Sequence, residues 1–535
     1  MLFRSWNQQI DVLGEKAKKR RAEALKIGKA KPHYLHTAFF ENALKNPTRI
    51  ALIDGETGAT KSYGKIAECA LSIAAYLKNR DIVGEAVAIT LPKSIEQIVV
   101  MYGVLAGGNY YVPVSIGQPF ERRNLIHNKV GIHYVITGRE IVDTIDWPKD
   151  AIVITVEDIY EESKSYRNIS VEKYLESLEK EKDENAYIIM TSGSTGEPKG
   201  VLISHRAAWN TIQDINTRCN ITEADTGFAI SAIDFDLSVY DTFGILGAGG
   251  KLVVIPENKR KDAFYWIEKV EKYGVTVWNS VPALLEMLLL AKEEQGSGLL
   301  PIRIALISGD WIKLDLPDRL AKLSVESRFI AMGGATEASI WSNYCDVKPP
   351  IPREWKSIPY GRPLTNQVYR VVDSKGRDCP DYVKGELYIG GAGVAKEYMG
   401  DKDLTEKKFT MEEGMKFYHT GDWGRFWRDG TIEFMGRMDS QVKVGGHRIE
   451  LGEIEAALEK IEGVSTAAVV TMGAERHLVA YIVLDEGKCD NLSKECETIE
   501  GDAVGILEQE DIKAPEEKYA DELDNLILEA VEKIL

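Results

Sequence analysis

Residues 187–206 read YIIMTSGSTGEPKGVLISHR. An apolar run over 187–190 breaks into a short segment with three glycines (Gly193, Gly196, Gly200), four hydroxylated residues (Thr191, Ser192, Ser194, Thr195), Pro198 and Lys199. A second apolar run, 201–203, follows. That order predicts a strand, a loop and a second strand. Glycines let the backbone approach a ligand closely. Hydroxyls and bare backbone N–H groups can hold phosphate oxygens, and Lys199 adds a positive charge. The segment is not the Walker A loop, which needs a glycine five residues after the first and Ser or Thr after the lysine. Here those positions are Pro198 and Gly200. An ordinary surface turn rich in Gly and Ser rarely carries this whole combination between two apolar strands.

The 535 residues exceed what one compact core supports, which implies a large region divided into subdomains and a smaller domain. A net charge of −17 argues against a nucleic-acid binder, while leaving room for a few local cations around a nucleotide. The six cysteines form no CxxC pair, so neither a zinc site nor a disulfide framework is indicated, and free thiols in a reducing cytoplasm are the simplest expectation. No apolar run approaches the ~20 residues of a membrane span. The charged, Lys- and Arg-rich residues 1–34 read as a linker or as the tail of an upstream domain, with no signal-peptide core.

From residue 35 onward short apolar strands alternate with amphipathic helices. A helix is expected through Phe39, Phe40 and Ala43, then a strand at 50–53, a helix at 63–78, a strand at 86–89, a helix at 95–106 and a strand from 110. Such alternation implies an α/β fold. His205 reads as a strand-end histidine.

Four further segments carry chemistry-bearing residues. DFDLSVYD, 234–241, holds Asp236, which taken alone is either a helix N-cap or a buried carboxylate in need of a cation. MGGATEASI, 332–340, presents Thr336 and Glu337. After the strand GELYIGG, 385–391, comes YHTGD, whose Asp422 is a turn former or an acceptor for a vicinal diol. GRMDSQVKVGGHRIELGEIEAAL, from 436, contains Arg437, Asp439 and Gly445–Gly446 and runs into a helix at 450–458.

In this order the segments resemble the core motifs of the adenylate-forming superfamily, which includes nonribosomal peptide synthetase adenylation domains, acyl-CoA synthetases and luciferase. The resemblance spans roughly residues 35–485. It implies a large N-terminal region, 35–438, of α/β subdomains with a distorted β-barrel, followed by a small mobile α+β C-terminal lid, 439–535. It implies ATP and Mg²⁺, with Thr191, Ser192, Gly193, Ser194, Thr195, Gly196, Gly334 and Ala335 around the nucleotide and Lys199 on its phosphates. By the same resemblance Thr336 contacts the α-phosphate, Glu337 ligates Mg²⁺, Asp422 accepts the ribose hydroxyls and Arg437 contacts ribose or phosphate. Asp439 is the expected lid hinge and Asp236 the partner of a substrate α-ammonium. One departure stands out: Gly333 occupies the place of a residue that stacks on adenine in the family.

The family's pocket positions fall at Asp236, Leu237, Tyr240, Asn279, Leu306, Ser308, Met332, Ile340 and Trp341. The set resembles that of cysteine-activating adenylation domains. Its bulky members leave a small cavity, Ser308 and Asn279 offer hydrogen bonds to a thiol, and Met332 offers a polarizable wall. The expected function is activation of an amino acid, L-cysteine first, as aminoacyl-AMP with release of pyrophosphate. Transfer to the phosphopantetheine thiol of a peptidyl carrier domain then serves antibiotic or siderophore assembly. Expected partners are the amino acid, the carrier, neighbouring synthetase domains and an MbtH-like helper protein, with no nucleic acid and no membrane. An acyl- or aryl-CoA ligase and a non-catalytic nucleotide-binding scaffold remain the alternatives. Two lid strands are expected in STAAVVTMG and HLVAYIVL; after about 485 the family pattern ends without its Gly-Lys dipeptide. An adenylation domain interrupted within its lid, a divergent lid, or weak adenylation would each explain that, with Lys513 and Lys518 the lysines nearest to hand.

Overall fold

A computed structural model describes Lys19, Arg21 and residues 33–165, 170–178, 184–192, 198–324, 326–438, 441–444, 447–461, 464–472 and 477–484. Two compact units emerge: one comprises the described residues of Met1–Met190 and Lys199–Met438, the other those of Thr191–Pro198 and Asp439–Leu535.

The first unit is built from the expected α/β alternation. Helices start where a hydroxyl can cap them: Ser62 accepts from the Lys65 N–H, Ser94 from Gln97 and Ser204 from Ala207. Helix Tyr63–Asn79 buries Tyr63, Ile66, Ala70, Ile73, Ala74 and Leu77 along one face, the three-and-four spacing of an amphipathic helix. It crosses helix Ile95–Ala106 so closely that a Cβ on Gly103 would lie 2.6 Å from Ile73.

Two large sheets carry these helices. In the seven-stranded sheet, Asn185–Thr191, Tyr110–Pro113, Ala86–Thr90, Tyr134–Thr137 and Ile152–Thr155 run parallel. Lys199–Ser204 extends this sheet, and Glu397–Met399 pairs with it antiparallel. The nine-stranded sheet has a parallel centre, Arg328–Gly333, Ile304–Ile307, Val277–Ser280, Thr226–Ala229, Lys251–Val254 and Ile50–Asp54, with antiparallel edges. One core cluster unites Phe39, Tyr63, Tyr102, Tyr111, Tyr187, Tyr240 and Trp341; a second, on the other face of the nine-stranded sheet, holds Trp266 and Trp278. A third sheet is antiparallel, formed by Gln367–Val372, Gly385–Gly391, Met415–Phe426, Phe409–Glu412 and Ile432–Arg437.

The strand ends at Ser204, and His205, expected at a strand end, is instead the first residue of helix His205–Cys219. It is buried, and its Nδ1 accepts the Leu35 N–H at 3.1 Å, which ties down the start of the folded region. Desolvation lowers its pKa to about 3, with Lys396 and His33 pushing the same way.

The second unit pairs Gln441–Val444 with His447–Glu450 and Val464–Met472 with His477–Leu484, both antiparallel, around helix Leu451–Leu458. Ile449, Leu451, Ile454, Leu458, Ala467 and Val469 form its own α+β core. Among the described residues no helix is long and apolar enough to cross a membrane.

Candidate active site

The nine-stranded sheet carries three of the nine pocket positions, Asn279, Leu306 and Met332, with Ser308 one residue beyond its strand. Its parallel register aligns Asn279 with Leu306 and Leu306 with Ile330. Because side chains alternate along a strand, Asn279, Leu306, Ser308 and Met332 project from one face. The clusters agree: Leu237, Tyr240, Leu306, Met332, Ile340 and Trp341 share one core, whereas Trp278, Ala305, Ile307 and Ala331 belong to the opposite one. The Trp341 indole N–H donates to Ser308 Oγ at 2.8 Å, and its ring meets Tyr240 at 5.1 Å between centroids. Tyr240 is fully buried and its hydroxyl donates to Asn216 Oδ1 at 2.9 Å. Asn279 Nδ2 donates to the Leu237 carbonyl at 3.1 Å and to Asp241 Oδ1 at 2.8 Å.

The turn that delivers Ile340 and Trp341 is strained. Ser339 and Ile340 have φ of 58° and 72°, a region that a β-branched side chain rarely enters. Ser339 Oγ donates to the Gly393 carbonyl at 2.7 Å, and Ile340 and Trp341 are buried, so packing holds the turn in place.

Asp236 stands at the start of the helical segment Leu237–Val239 but makes no capping hydrogen bond there. It is 6% exposed, and the Thr336 hydroxyl donates to its Oδ2 at 2.9 Å. The residue assigned to the substrate ammonium and the residue assigned to the α-phosphate are therefore in direct contact. Glu337, fully buried, accepts the Tyr398 hydroxyl at 2.7 Å. Tyr398 lies on the edge strand in register with Val201, and Met399 with Gly200, so the strand that begins at Lys199 is linked through Tyr398 to the Thr336–Glu337 loop. Gly334, at φ 146°, is a position where a Cβ would lie 2.8 Å from the Ser342 nitrogen and hydroxyl; only glycine fits. Ala335 follows, and its carbonyl accepts the Ala338 N–H at 2.8 Å.

Asp422 and Arg437 face each other across paired strands. Arg437 Nη1 donates to Asp422 Oδ1 at 2.6 Å and to the Thr420 carbonyl at 2.8 Å. Near this pair the Tyr360 ring stacks on Phe434, 5.0 Å between centroids and 9° between planes. Tyr360 and Asn343 also take up the room beside Gly333: a Cβ there would lie 2.9 Å from the Asn343 amide and 3.0 Å from the Tyr360 ring. Burial raises the Tyr360 pKa well above its ordinary value, with Asp422 adding to the effect, so this ring stays a neutral phenol.

Thr191 closes its strand and Ser192 follows it. Gly193, Ser194, Thr195, Gly196, Asp439, Gly445, Gly446, Lys513 and Lys518 lie outside the described residues. Sequence reasoning did not single out Asp241, Tyr398, Tyr360 or Asn343. Asp241 was visible in DFDLSVYD as the third acid of the segment; the other three carry no local signal.

The sequence pattern of the AMP-binding enzymes matches residues 39–399. The chain belongs to the AMP-binding enzyme family. These are adenylate-forming ligases, and within them the chain is an adenylation domain of the nonribosomal peptide synthetase kind. It is 46% identical over 455 residues to the anguibactin system regulator of Vibrio anguillarum, an alignment covering 84% of this chain and 42% of that protein. The chain thus spans less than half the length of this curated relative. Among solved structures it resembles the nonribosomal peptide synthetase FmoA3 (S1046A) in its α-methyl-L-serine-AMP bound form, with a TM-score of 0.73, 33% identity, and coverage of 80% of this chain and 48% of that one. It also resembles NpsA-ThdA, an artificially fused adenylation–PCP di-domain from Klebsiella oxytoca, with a TM-score of 0.75, 25% identity, and coverage of 86% and 90%. AMP-binding enzymes use ATP.

Proposed function

We propose that this AMP-binding enzyme activates L-cysteine as cysteinyl-AMP and passes the acyl group to the phosphopantetheine thiol of a peptidyl carrier domain, as one step of nonribosomal assembly of a siderophore or antibiotic in the cytoplasm. The observation that carries this reading is the 2.9 Å hydrogen bond from Thr336 to Asp236. A buried carboxylate takes up an ammonium well, and acids activated by CoA ligases carry none. Beside it, Thr336 would meet the α-phosphate. One amino acid can then hold its ammonium on Asp236 while its carboxylate reaches α-phosphorus.

In the first half-reaction a carboxylate oxygen of the amino acid forms a bond to α-phosphorus, and the bond from α-phosphorus to the bridging oxygen breaks, releasing pyrophosphate. In the second, the carrier thiol, losing its proton, bonds to the carbonyl carbon and AMP leaves. Lys199, Thr336 and the loop residues Thr191, Ser192, Gly193, Ser194, Thr195 and Gly196 would neutralise charge on the phosphates, with Gly334 and Ala335 lining the nucleotide. Asp422 would accept the ribose hydroxyls, steadied by Arg437. Tyr360, where it fills the space beside Gly333, would give adenine the flat wall that a glycine cannot. Asp439 would let the lid turn between the two half-reactions. An MbtH-like helper and neighbouring synthetase domains are partners on this reading.

Glu337 is the residue that would hold Mg²⁺. Among the described residues no three His, Cys, Asp or Glu side chains gather into a metal cluster, so one carboxylate with ATP phosphate oxygens is the fitting arrangement. When bound, Mg²⁺ would screen the phosphate charge.

Cysteine is favoured because Tyr240, Met332 and Trp341 crowd the pocket face and, among the nine assigned positions, only Asp236 carries a charge. Amino-acid-dependent exchange of labelled pyrophosphate into ATP, run with cysteine, serine, alanine, valine and phenylalanine, tests the proposal. Cysteine is expected to drive exchange best. Preference for another amino acid refutes the substrate, and exchange driven by organic acids lacking an ammonium refutes the reaction class.

A further inference from the structure

Asp241 is a buried acid that the chemistry above does not use. It follows Tyr240 in a widened helical turn, Tyr240–Gly244, closed by bonds one residue longer than those of an α-helix. Such turns swing side chains off the regular spiral and recur at functional sites. Here the turn sets Asp241 against Asn279. The amide nitrogen of Asn279 donates to Asp241 Oδ1 at 2.8 Å and to the Leu237 carbonyl at 3.1 Å.

Both partners are acceptors, so the amide has only one workable orientation. Its two N–H bonds are spent, and its oxygen lies on the other side of the group. Asn279 is 2% exposed, and Oδ1 meets no donor among the described residues. A buried carbonyl oxygen left bare is costly, and a ligand that brings a donor removes the cost. Asn279 shares its sheet face with Ser308, whose Oγ accepts from the Trp341 indole, an N–H that can only donate. Ser308 therefore keeps its own hydrogen to give. Lys93 lines a cavity together with Asp241 and donates to the Ser231 carbonyl at 2.6 Å; burial lowers its pKa to about 7, with Arg260 pushing the same way and Asp241 opposing.

We propose that Asp241 is a specificity-determining positioning residue: by taking one amide hydrogen of Asn279 while the Leu237 carbonyl takes the other, it turns a bare carbonyl toward the substrate, which selects an amino acid bearing a γ-position hydrogen-bond donor, a thiol or a hydroxyl. This rests on the reading that the face carrying Asn279 and Ser308 receives the substrate side chain. It adds a rule the pocket residues alone do not give, namely that the site offers an acceptor at Asn279 and not an amide N–H.

The test uses three amino acids that differ only at the γ position: cysteine, serine and L-2-aminobutyrate. Specificity is read as kcat/KM for amino-acid-dependent pyrophosphate exchange by the full chain, with KM for ATP as the internal control. The wild-type protein should prefer cysteine over 2-aminobutyrate by at least about tenfold, because 2-aminobutyrate leaves the buried Asn279 oxygen without a donor. In Asp241→Asn the new NH₂ group can donate to Asn279 Oδ1 once the Asn279 amide turns over and gives up its bond to Leu237, so the preference should collapse toward unity while KM for ATP stays in place. If Asp241→Asn does not fold, Asn279→Leu removes the acceptor at similar volume and should give the same collapse. A wild-type ratio near one overturns the proposal, and so does a ratio that survives Asp241→Asn. Preference for serine over 2-aminobutyrate with rejection of cysteine would sink the cysteine assignment and still support the donor rule. Exchange driven only by amino acids without a γ donor would overturn both.

Discussion

Replacing Asp236 by Asn changes one oxygen to an NH₂ group and removes one negative charge. The new side chain keeps its volume and can still accept the hydroxyl of Thr336, which now donates to Asp236 at 2.9 Å. What it cannot do is pair with the α-ammonium of the substrate. At 6% exposure Asp236 is beyond the reach of bulk screening. Two unit charges about 4 Å apart attract by about 4 kcal/mol at an effective dielectric near 20. Loss of one partner from a buried pair costs a similar ~3–5 kcal/mol. At about 1.4 kcal/mol per tenfold, KM for the amino acid should rise by roughly 100- to 4,000-fold. KM for ATP should move little. A substrate lacking the ammonium, 3-mercaptopropionate, sharpens the assay: the wild-type protein should discriminate strongly in favour of cysteine, and Asp236→Asn should lose that preference. Saturation curves for pyrophosphate exchange give all four constants. An amino-acid KM within a few-fold of wild type, or a parallel rise in KM for ATP, would refute the assignment of Asp236 to the ammonium.

Glu337→Gln retains an acceptor for the Tyr398 hydroxyl and removes the charge, so the Mg²⁺ concentration needed for half-maximal exchange should rise several-fold; an unchanged Mg²⁺ titration places the metal elsewhere. Tyr360→Ala should raise KM for ATP by up to about tenfold, the worth of one aromatic stacking contact, without altering KM for the amino acid; no change in a nucleotide titration would remove Tyr360 from the adenine wall. Stability should fall on acidification. His205 titrates at about 3 in the folded chain because of burial, and His36 also lies well below its ordinary value, first through burial and then through His205. An unfolded histidine titrates near 6.5, so the unfolded chain binds more protons as pH falls from about 6.5 toward 3. The stabilisation is complete above about pH 6.5 and lost below it, with a slope of at most about 1.4 kcal/mol per pH unit for each group. Denaturant midpoints followed by tryptophan fluorescence at pH 7 and pH 5 check this, and equal midpoints would contradict it.

Much of the architecture was legible along the chain. Helix Ile95–Ala106 and strand Gly385–Gly391 occupy the positions their residues imply, because a helix or a half-buried strand needs only a local repeat of apolar side chains and a capping hydroxyl such as Ser94. The two lid strands, Val464–Met472 and His477–Leu484, follow for the same reason. The family was legible too, since Gly334 and the residues around Thr336 form a loop whose backbone admits few alternatives. His205 was less so: a strand-end residue and the first residue of a helix look alike when the strand runs directly into the helix.

The sequence by itself determined the family and which glycine, hydroxyl and carboxylate residues its motifs carry, because that chemistry travels with the motif. Only the tertiary structure decided which of them touch. Thr336 bonds to Asp236 across 100 positions of chain, and Tyr398 to Glu337 across 61. These contacts depend on the register of strands brought together by packing, and no local period records that register. The same holds for Asn279. Its sequence position offers both a donor and an acceptor, and only the placement of Asp241 and the Leu237 carbonyl, both acceptors, fixes which of the two remains.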